Sequence, residues 1–301
     1  MDGKDQSCFG LSYVLVTPAR NEEAHIERTI RSVLAQSILP HRWIIVSDGS
    51  TDRTDEIVRS YLSANSWVKF IRMPEHRDRN FAAKVSCFNA GYELSNREQY
   101  DIIGNLDADV SFGPTYFEFL LEKFAAMPEL GVGGTPFVED GVQYDYRFVN
   151  IEHVSGACQM FRRQCFEDIG GYRPIKGGGI DWVAVTTARM RGWKTRTFTE
   201  QTYEHHRKIG TGKSNVLLSK FRFGKQDYFL GGHPVWEIFR CFYQMKSKPY
   251  VLGGLMLYMG YLWAWITRVE RPISAELVQF RRKEQMQRLV VVAKKLASFG
   301  M

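Results

Sequence analysis

The sequence predicts an α/β protein with a mostly parallel central sheet flanked by helices, and three observations carry that prediction. Short β-branched runs alternate with segments of helical period throughout the first half. The connections are short and rich in Gly, Asp, Ser and Pro, the residues that turn a chain. At 301 residues, with 44% hydrophobic and 24% charged side chains, 26 Gly and 10 Pro, the chain can bury a large core and has a folded protein's composition.

The elements follow in order. Tyr13 to Thr17 (YVLVT) reads as a strand. Glu22 to Gln36 reads as a helix, with Ile26, Ile30, Val33 and Leu34 on one face and Glu22 and Glu23 in a first turn that favours negative charge. Arg42 to Ser47 (RWIIVS) is the next strand, the turn DGSTD follows, and Thr54 to Leu62 is a second helix. Val68 to Met73 is a third strand and Phe81 to Leu94 a third helix. Asp101 to Leu106 (DIIGNL) is a fourth strand running directly into Asp107, Ala108 and Asp109. Pro114 then opens an amphipathic helix through Phe117, Leu120, Leu121 and Phe124. After Gly131 the pattern loosens into Gly-rich turns, and a composition shift near residues 210–250 divides 1–210 from a loop and helical region at 211–301.

Forty Lys and Arg against thirty-three Asp and Glu give a formal charge of +7, which favours anionic partners. No nucleic-acid recognition motif accompanies it, so no nucleic-acid partner is expected. Five scattered cysteines without a CxxC pair suit a reducing compartment, and the first twenty residues lack a signal-peptide pattern, so a cytoplasmic chain is expected. Between Lys248 and Arg268 lies an uncharged run, PYVLGGLMLYMGYLWAWIT, that reaches the length of a membrane-span candidate. Its glycines and its Tyr and Trp residues suit an interfacial or re-entrant element better than a span, a packed core helix being the alternative. The basic residues beyond it, among them Arg271, Arg281, Arg282 and Lys294, are expected to face an anionic membrane surface, peripherally or monotopically.

Asp107-Ala108-Asp109 at a strand end is the strongest chemical signal. Alternation puts both carboxylates on one side of an extended chain, where a hard divalent cation can sit. Such a cation reconciles two acids with a diphosphate; the alternative is a solvated turn.

The pattern as a whole resembles family 2 glycosyltransferases. VLVTPARNEEAHIERTIRSVLAQ, WIIVSDGSTDRT, IIGNLDADVSFGPTYFEFL, HVSGACQMFRRQCFEDIGGYRP and GGGIDWVAVTTARMRGWKT follow that family's order over residues 11–200. The resemblance implies a GT-A, Rossmann-like fold for 1–210, with 11–110 binding a nucleotide-sugar donor and 111–210 the acceptor; the late apolar and basic segments add the expectation of a helical, membrane-associating appendage at 211–301. It implies that Pro18, Asn21 and Glu22 line the nucleoside pocket, that Asp48 approaches the base or ribose, and that Lys84 faces ribose or phosphates, though a solvated lysine is the alternative. Asp107 would touch ribose or metal, and Asp109 would be the principal ligand of Mg2+ or Mn2+.

The reaction implied is transfer from a nucleoside-diphosphate sugar to an acceptor hydroxyl, on a glycan or a lipid-linked molecule, with inversion. Asp181 is the expected base. Gly178 and Gly179 stand where the family carries acids, and a helix N-cap is the other reading of Asp181. In YEHHRKIGTGKS, His205 is expected to return to the metal and His206 to the nucleotide. Arg207, Lys208, Gly210, Gly212 and Lys213 would form an anion-binding loop closing over it. A nucleotidyltransferase of related fold and a non-catalytic membrane-bound scaffold are the rival readings. The first strand lacks the glycine-rich basic loop of the former, and the Asp107-Asp109 pair argues against the latter.

Overall fold

A computed structural model describes residues 10–75, 81–139, 141–143, 151–207, 216–246 and 248–299. They fall into two compact units: Met1–Lys176 with Ile180–Lys208, and Gly177–Gly179 with Ile209–Met301.

The first unit runs β1 (Tyr13–Ala19), α1 (Ile26–Leu34), β2 (Arg42–Ser47), α2 (Thr54–Leu62), β3 (Val68–Arg72), α3 (Phe81–Ser95), β4 (Ile102–Leu106), β5 (Val110–Ser111) and α4 (Tyr116–Ala126). It continues with β6 (Leu130–Gly134), β7 (Phe137–Glu139), β8 (Val142–Gln143), β9 (Cys158–Arg162), α5 (Arg163–Asp168), α6 (Ile180–Met190), β10 (Lys194–Thr197) and β11 (Tyr203–His205). The main sheet has the order β10-β6-β9-β4-β1-β2-β3; β9 runs antiparallel to β4 and β6, and the other pairings are parallel.

Both faces of this sheet are covered, so its central strands are continuous apolar runs rather than alternating ones. Tyr13, Val14, Leu15 and Val16 are all buried. Ile26, Ile30, Val58, Phe117 and Leu120 pack on one face, and Val85, Phe88, Phe166 and Val185 on the other. Gly91 of α3 is required by this packing: a Cβ there would stand 2.6 Å from the Val16 side chain.

One helix start differs from the sequence expectation, and a second differs from the alternative reading of Asp181 as an N-cap. Glu22 and Glu23 do not occupy the first turn of α1, which begins at Ile26; their backbone N–H groups are taken instead by Thr54 Oγ1 and Asp52 Oδ2. Asp181 lies inside the first turn of α6 rather than at its cap.

A second, smaller sheet, in the order β5-β11-β7-β8, carried no signal legible in the sequence. Its strands are two or three residues long, too short to show a period. Antiparallel pairing of β11 with β5 sets His205 opposite Val110, the residue after Asp109.

The second unit contains α7 (Val216–Phe229), α8 (Pro234–Gln244), α9 (Tyr250–Ile266) and α10 (Ala275–Phe299). α9 packs on α7 and α8 through glycine: a Cβ on Gly254 would collide with the Cys241 carbonyl, and one on Gly260 with that of Phe221. Among the described residues no helix is long and apolar enough to cross a membrane.

Several basic residues expected at a lipid surface have structural partners instead. Arg281 is buried and donates to the Leu230 carbonyl at 2.6 Å and to Asp227 Oδ1 at 3.1 Å. Arg282 donates to Gly231 O, and Arg271 donates to Tyr228 O while its guanidinium covers the Tyr228 ring. These cations satisfy backbone carbonyls near the C-terminal end of α7.

Glu237 of α8 is buried at 1% exposure, and burial pushes its carboxyl up to about 7 against the opposing pull of Arg281. The folded pKa lies above the ordinary value of 4.5. Stability from this group is therefore fully present below that value and is lost as pH rises through about 7. A displacement of this size corresponds to about 3 kcal/mol. Glu237→Gln is expected to flatten the pH profile of unfolding and to raise the melting temperature at about pH 8. A profile identical to that of the unaltered chain would show the carboxylate to be accommodated without cost.

Candidate functional site

The carboxyl ends of β1, β2 and β4 open onto a cleft of about 460 Å³ lined by Pro18, Ala19, Arg20, Glu22, Asp48, Lys84, Asp107, Ala108, Asp109, Lys176 and Arg207. Strand-end crevices are where open α/β sheets collect ligands, and this volume suits a small organic ligand.

The wall on the β1 and β2 side is built by two loops zipped together. Asn21 adopts the left-handed conformation, at φ 54°, which asparagine tolerates better than most residues. Its Oδ1 accepts from Thr51 N at 2.8 Å and its own N–H donates to Ser50 Oγ at 3.2 Å. Asp52 closes the other end by accepting from Glu23 N and Thr54 N. Asn21 thus shapes the pocket rather than lining it. Asn21→Ala is expected to cost about 1–2 kcal/mol, from one lost hydrogen bond and a strained backbone. That corresponds to a melting temperature lower by roughly 2–5 °C. Asn21→Gly, which relieves the backbone term only, should recover part of the loss in the same thermal scan.

Asp48 is held from two sides. Arg20 Nη1 lies 3.2 Å from its Oδ2, and the Cys87 thiol donates to its Oδ1 at 3.3 Å. Burial, reinforced by Asp48, pushes the Cys87 thiol up to about 12, so it stays protonated and able to donate.

The Asp107–Asp109 turn is pinned by its backbone. Asp107 N donates to Ala157 O at 2.9 Å and His206 N donates to Asp109 O at 2.8 Å. The buried Thr29 hydroxyl lies 2.9 Å from Ala108 O and 2.7 Å from Val110 O, sharing its proton between them.

Lys84 meets Asp107 Oδ1 at 2.5 Å. Burial pushes the Asp107 carboxyl up, Lys84 pulls it back and Asp109 pushes it up again; the net shift is upward. Burial pulls the Lys84 ammonium down, but Asp107, Asp181 and Asp109 together outweigh it and raise it. Lys84 is therefore a charged member of the cleft rather than a solvated helix lysine.

Asp107, Asp109 and His205 present one ligand atom each within 4.8 Å of one another. His205 Nε2 lies 3.7 Å from Asp109 Oδ1, and both side chains are buried. Asp109 Oδ1 and His205 Nδ1 have no hydrogen-bond partner although no solvent reaches them. Two carboxylates and an imidazole with unsatisfied buried atoms form a donor set that fits a divalent cation. Arg207 pairs with Glu22 and stands 3.7 Å from Asp109 Oδ2, so a cation from the segment after β11 reaches the cleft as expected. Lys208, Gly210, Gly212 and Lys213 lie outside the described residues.

His206 and Asp181, like Asn21, stand outside the cleft-lining set. The His206 ring turns to Ser111 Oγ at 2.8 Å and stacks 6.2 Å from His25, away from the cleft-lining set. Burial, helped by Arg28, lowers His206. Asp181 lies against Gly156, where a Cβ would stand 2.8 Å from its own Cβ. The Gly156 carbonyl is fixed by Asn105 Nδ2 at 2.6 Å, and the Asp181 charge acts on Lys84. Arg20 and Lys176 line the cleft without having been singled out in the sequence. Arg20 stood inside the PARNEE motif, but nothing in one sequence says that it meets Asp48.

Residues 14–153 match the profile of Glycosyl transferase family 2. The poly-beta-1,6-N-acetyl-D-glucosamine synthase of Staphylococcus aureus is 29% identical over 181 residues, which are 54% of this chain and 41% of that protein. The corresponding synthase of Staphylococcus epidermidis is 25% identical over 185 residues, 55% of this chain and 42% of that one. The match thus spans less than half the length of these relatives.

Among solved structures, a mannosyltransferase from Pyrobaculum calidifontis in complex with GDP-Man and Mn2+ superposes with a TM-score of 0.56 at 16% identity, covering 95% of this chain and 80% of that one. S. aureus TarS in complex with UDP superposes with a TM-score of 0.55 at 11% identity, covering 92% and 90%. At these identities the structural likeness speaks for the fold. The match over residues 14–153, the GT-A-like sheet and the glycosyltransferase relatives support reading the chain as a glycosyltransferase enzyme similar to family 2.

Proposed function

We propose that the chain transfers a sugar from a UDP-sugar to an acceptor hydroxyl, with inversion at the anomeric carbon. The observation that carries this reading is the convergence of Asp107, Asp109 and His205, with Asp109 Oδ1 and His205 Nδ1 buried and unsatisfied, at a cleft that also presents Arg20, Lys84, Lys176 and Arg207. The choice of UDP is supported by the named product of the Staphylococcus relatives and by a TarS complex with UDP-GlcNAc. An N-acetylhexosamine donor is accordingly the first candidate.

In this reading Asp48, oriented by Arg20 and Cys87, meets the base or ribose at the β2 end of the cleft, next to Pro18. Lys84, Lys176 and Arg207 face the diphosphate and offset its charge without needing to reorganise. A Mg2+ or Mn2+ held by Asp107, Asp109 and His205 would supply Lewis-acid stabilisation of charge on the departing diphosphate. Asp181, which packs against Gly156 and acts electrostatically on Lys84, receives the acceptor proton. The acceptor is a glycan or lipid-linked hydroxyl, and the proposed setting is the cytoplasmic face of a membrane.

The test is direct. Purified chain with Mn2+ and a panel of UDP-, GDP- and TDP-sugars should be stabilised against heating by the UDP-sugars selectively, because a ligand bound only to the native state raises its melting temperature. It should also release UDP slowly in the absence of acceptor. Selective stabilisation by GDP-sugars would overturn the base assignment, and inertness to every donor would overturn the reading.

A further inference from the structure

The helix α9 is inverted relative to a helix of a water-soluble protein. Its buried face is made of Gly253, Gly254, Leu257, Gly260, Tyr261 and Ala264. Its outward face carries Leu252, Leu255, Met259, Trp263 and Ile266, between 44% and 70% exposed. These recur at the three- and four-residue spacing that makes one stripe about 20 Å long. Four of the six buried positions are thus glycine or alanine, while Leu, Met, Trp and Ile side chains stand outside. Phe242 of the adjoining α8 is 63% exposed as well. A continuous apolar surface of this kind marks an interaction site.

The charges around it identify the partner. Lys246 and Lys248 precede the helix and Arg268 follows it, all exposed. Lys225 of α7 lies over the Trp263 ring at 4.7 Å. From 216 to 271 the sequence holds eight Lys or Arg and three acids, Asp227, Glu237 and Glu270. Glu237 is buried, and Asp227 is paired with Arg240 and Arg281, which leaves Glu270 as the exposed acid among the described residues there. An uncharged apolar stripe with cations at both ends and an indole within it complements an anionic lipid surface.

We propose that the outward face of α9 lies in the headgroup region of an anionic bilayer, its axis along the membrane plane. Its glycine face is occupied by α7 and α8, so lipid cannot surround it as it would a span. Its 17 residues also fall short of the usual crossing length. The lipid-facing element is α9, whereas Arg281 and Arg282 of the basic helix α10 are spent on carbonyls of the second unit. The proposal does not depend on the sugar-transfer reading.

Flotation of the full chain with vesicles tests it. Binding is expected to phosphatidylcholine vesicles containing about a quarter phosphatidylglycerol, and to fall about tenfold or more in Leu255→Glu/Met259→Glu. Lys248→Glu/Arg268→Glu should weaken binding to the anionic vesicles and abolish its salt sensitivity. Brominated acyl chains should quench tryptophan fluorescence, and the quenching should fall in Trp263→Phe/Trp265→Phe, a readout that introduces no charge into the fold. Retained UDP affinity and helical circular dichroism would show the variants folded. The proposal is overturned if the chain does not bind the phosphatidylglycerol-containing vesicles. It is equally overturned if the Glu pair binds vesicles as well as the unaltered chain, or if the stripe instead drives concentration-dependent self-association without vesicle binding.

Discussion

Asp109→Ala is expected to lower kcat/KM by about a thousandfold or more, equivalent to ~4 kcal/mol of transition-state stabilisation. Asp109 supplies a buried, unsatisfied oxygen at the centre of the ligand set, opposite His205 and within reach of Arg207. Removing it takes away a ligand and also leaves the Arg207 guanidinium with Glu22 as its remaining carboxylate partner in the cleft. The fold should survive, because the Asp107–Asp109 turn is held through backbone groups by Ala157, Thr29 and His206 rather than through this side chain. A melting temperature close to that of the unaltered chain, together with lost Mn2+ binding by electron paramagnetic resonance, is the expected signature. Turnover within tenfold of normal would remove Asp109 from the ligand set.

Asp181→Asn should behave differently. The amide keeps the shape against Gly156 but cannot take a proton, so kcat should fall by about a hundred- to ten-thousandfold while donor affinity stays within about twofold. Asparagine also removes one of the negative charges that raise Lys84. Asp107 is the larger neighbour and remains, so diphosphate contacts should persist. Single-turnover kinetics at saturating donor separates the two effects. A loss confined to donor KM would make Asp181 a positioning group for Lys84 rather than the base.

Much of the first unit was legible because its signals are local. Val14, Leu15 and Val16 announce a strand buried on two faces, and Phe117, Leu120, Leu121 and Phe124 a helix covering it. Asp107 and Asp109 were visible because a strand ends into them. What the sequence concealed depends on distant pairing. The second sheet, which sets His205 beside Asp109, joins strands about ninety residues apart and too short for periodicity to register.

The start of α1 was misplaced for a related reason. Glu22 and Glu23 look like first-turn acids until Thr54 and Asp52 are seen holding their N–H groups. His206, adjacent to His205, turns to the other side of its extended segment and meets Ser111, as strand alternation dictates. Arg281 looked like a surface cation, and only the packing of α10 near the end of α7 shows it satisfying Leu230.

The central claim is that Asp107, Asp109 and His205 hold a divalent ion against the donor's diphosphate. Isothermal titration of UDP into the chain, with Mn2+ and again with excess chelator, tests it most directly. Affinity is expected to fall at least about tenfold on chelation, and Asp109→Ala to be weak in both conditions. Equal affinity with and without the metal would contradict it.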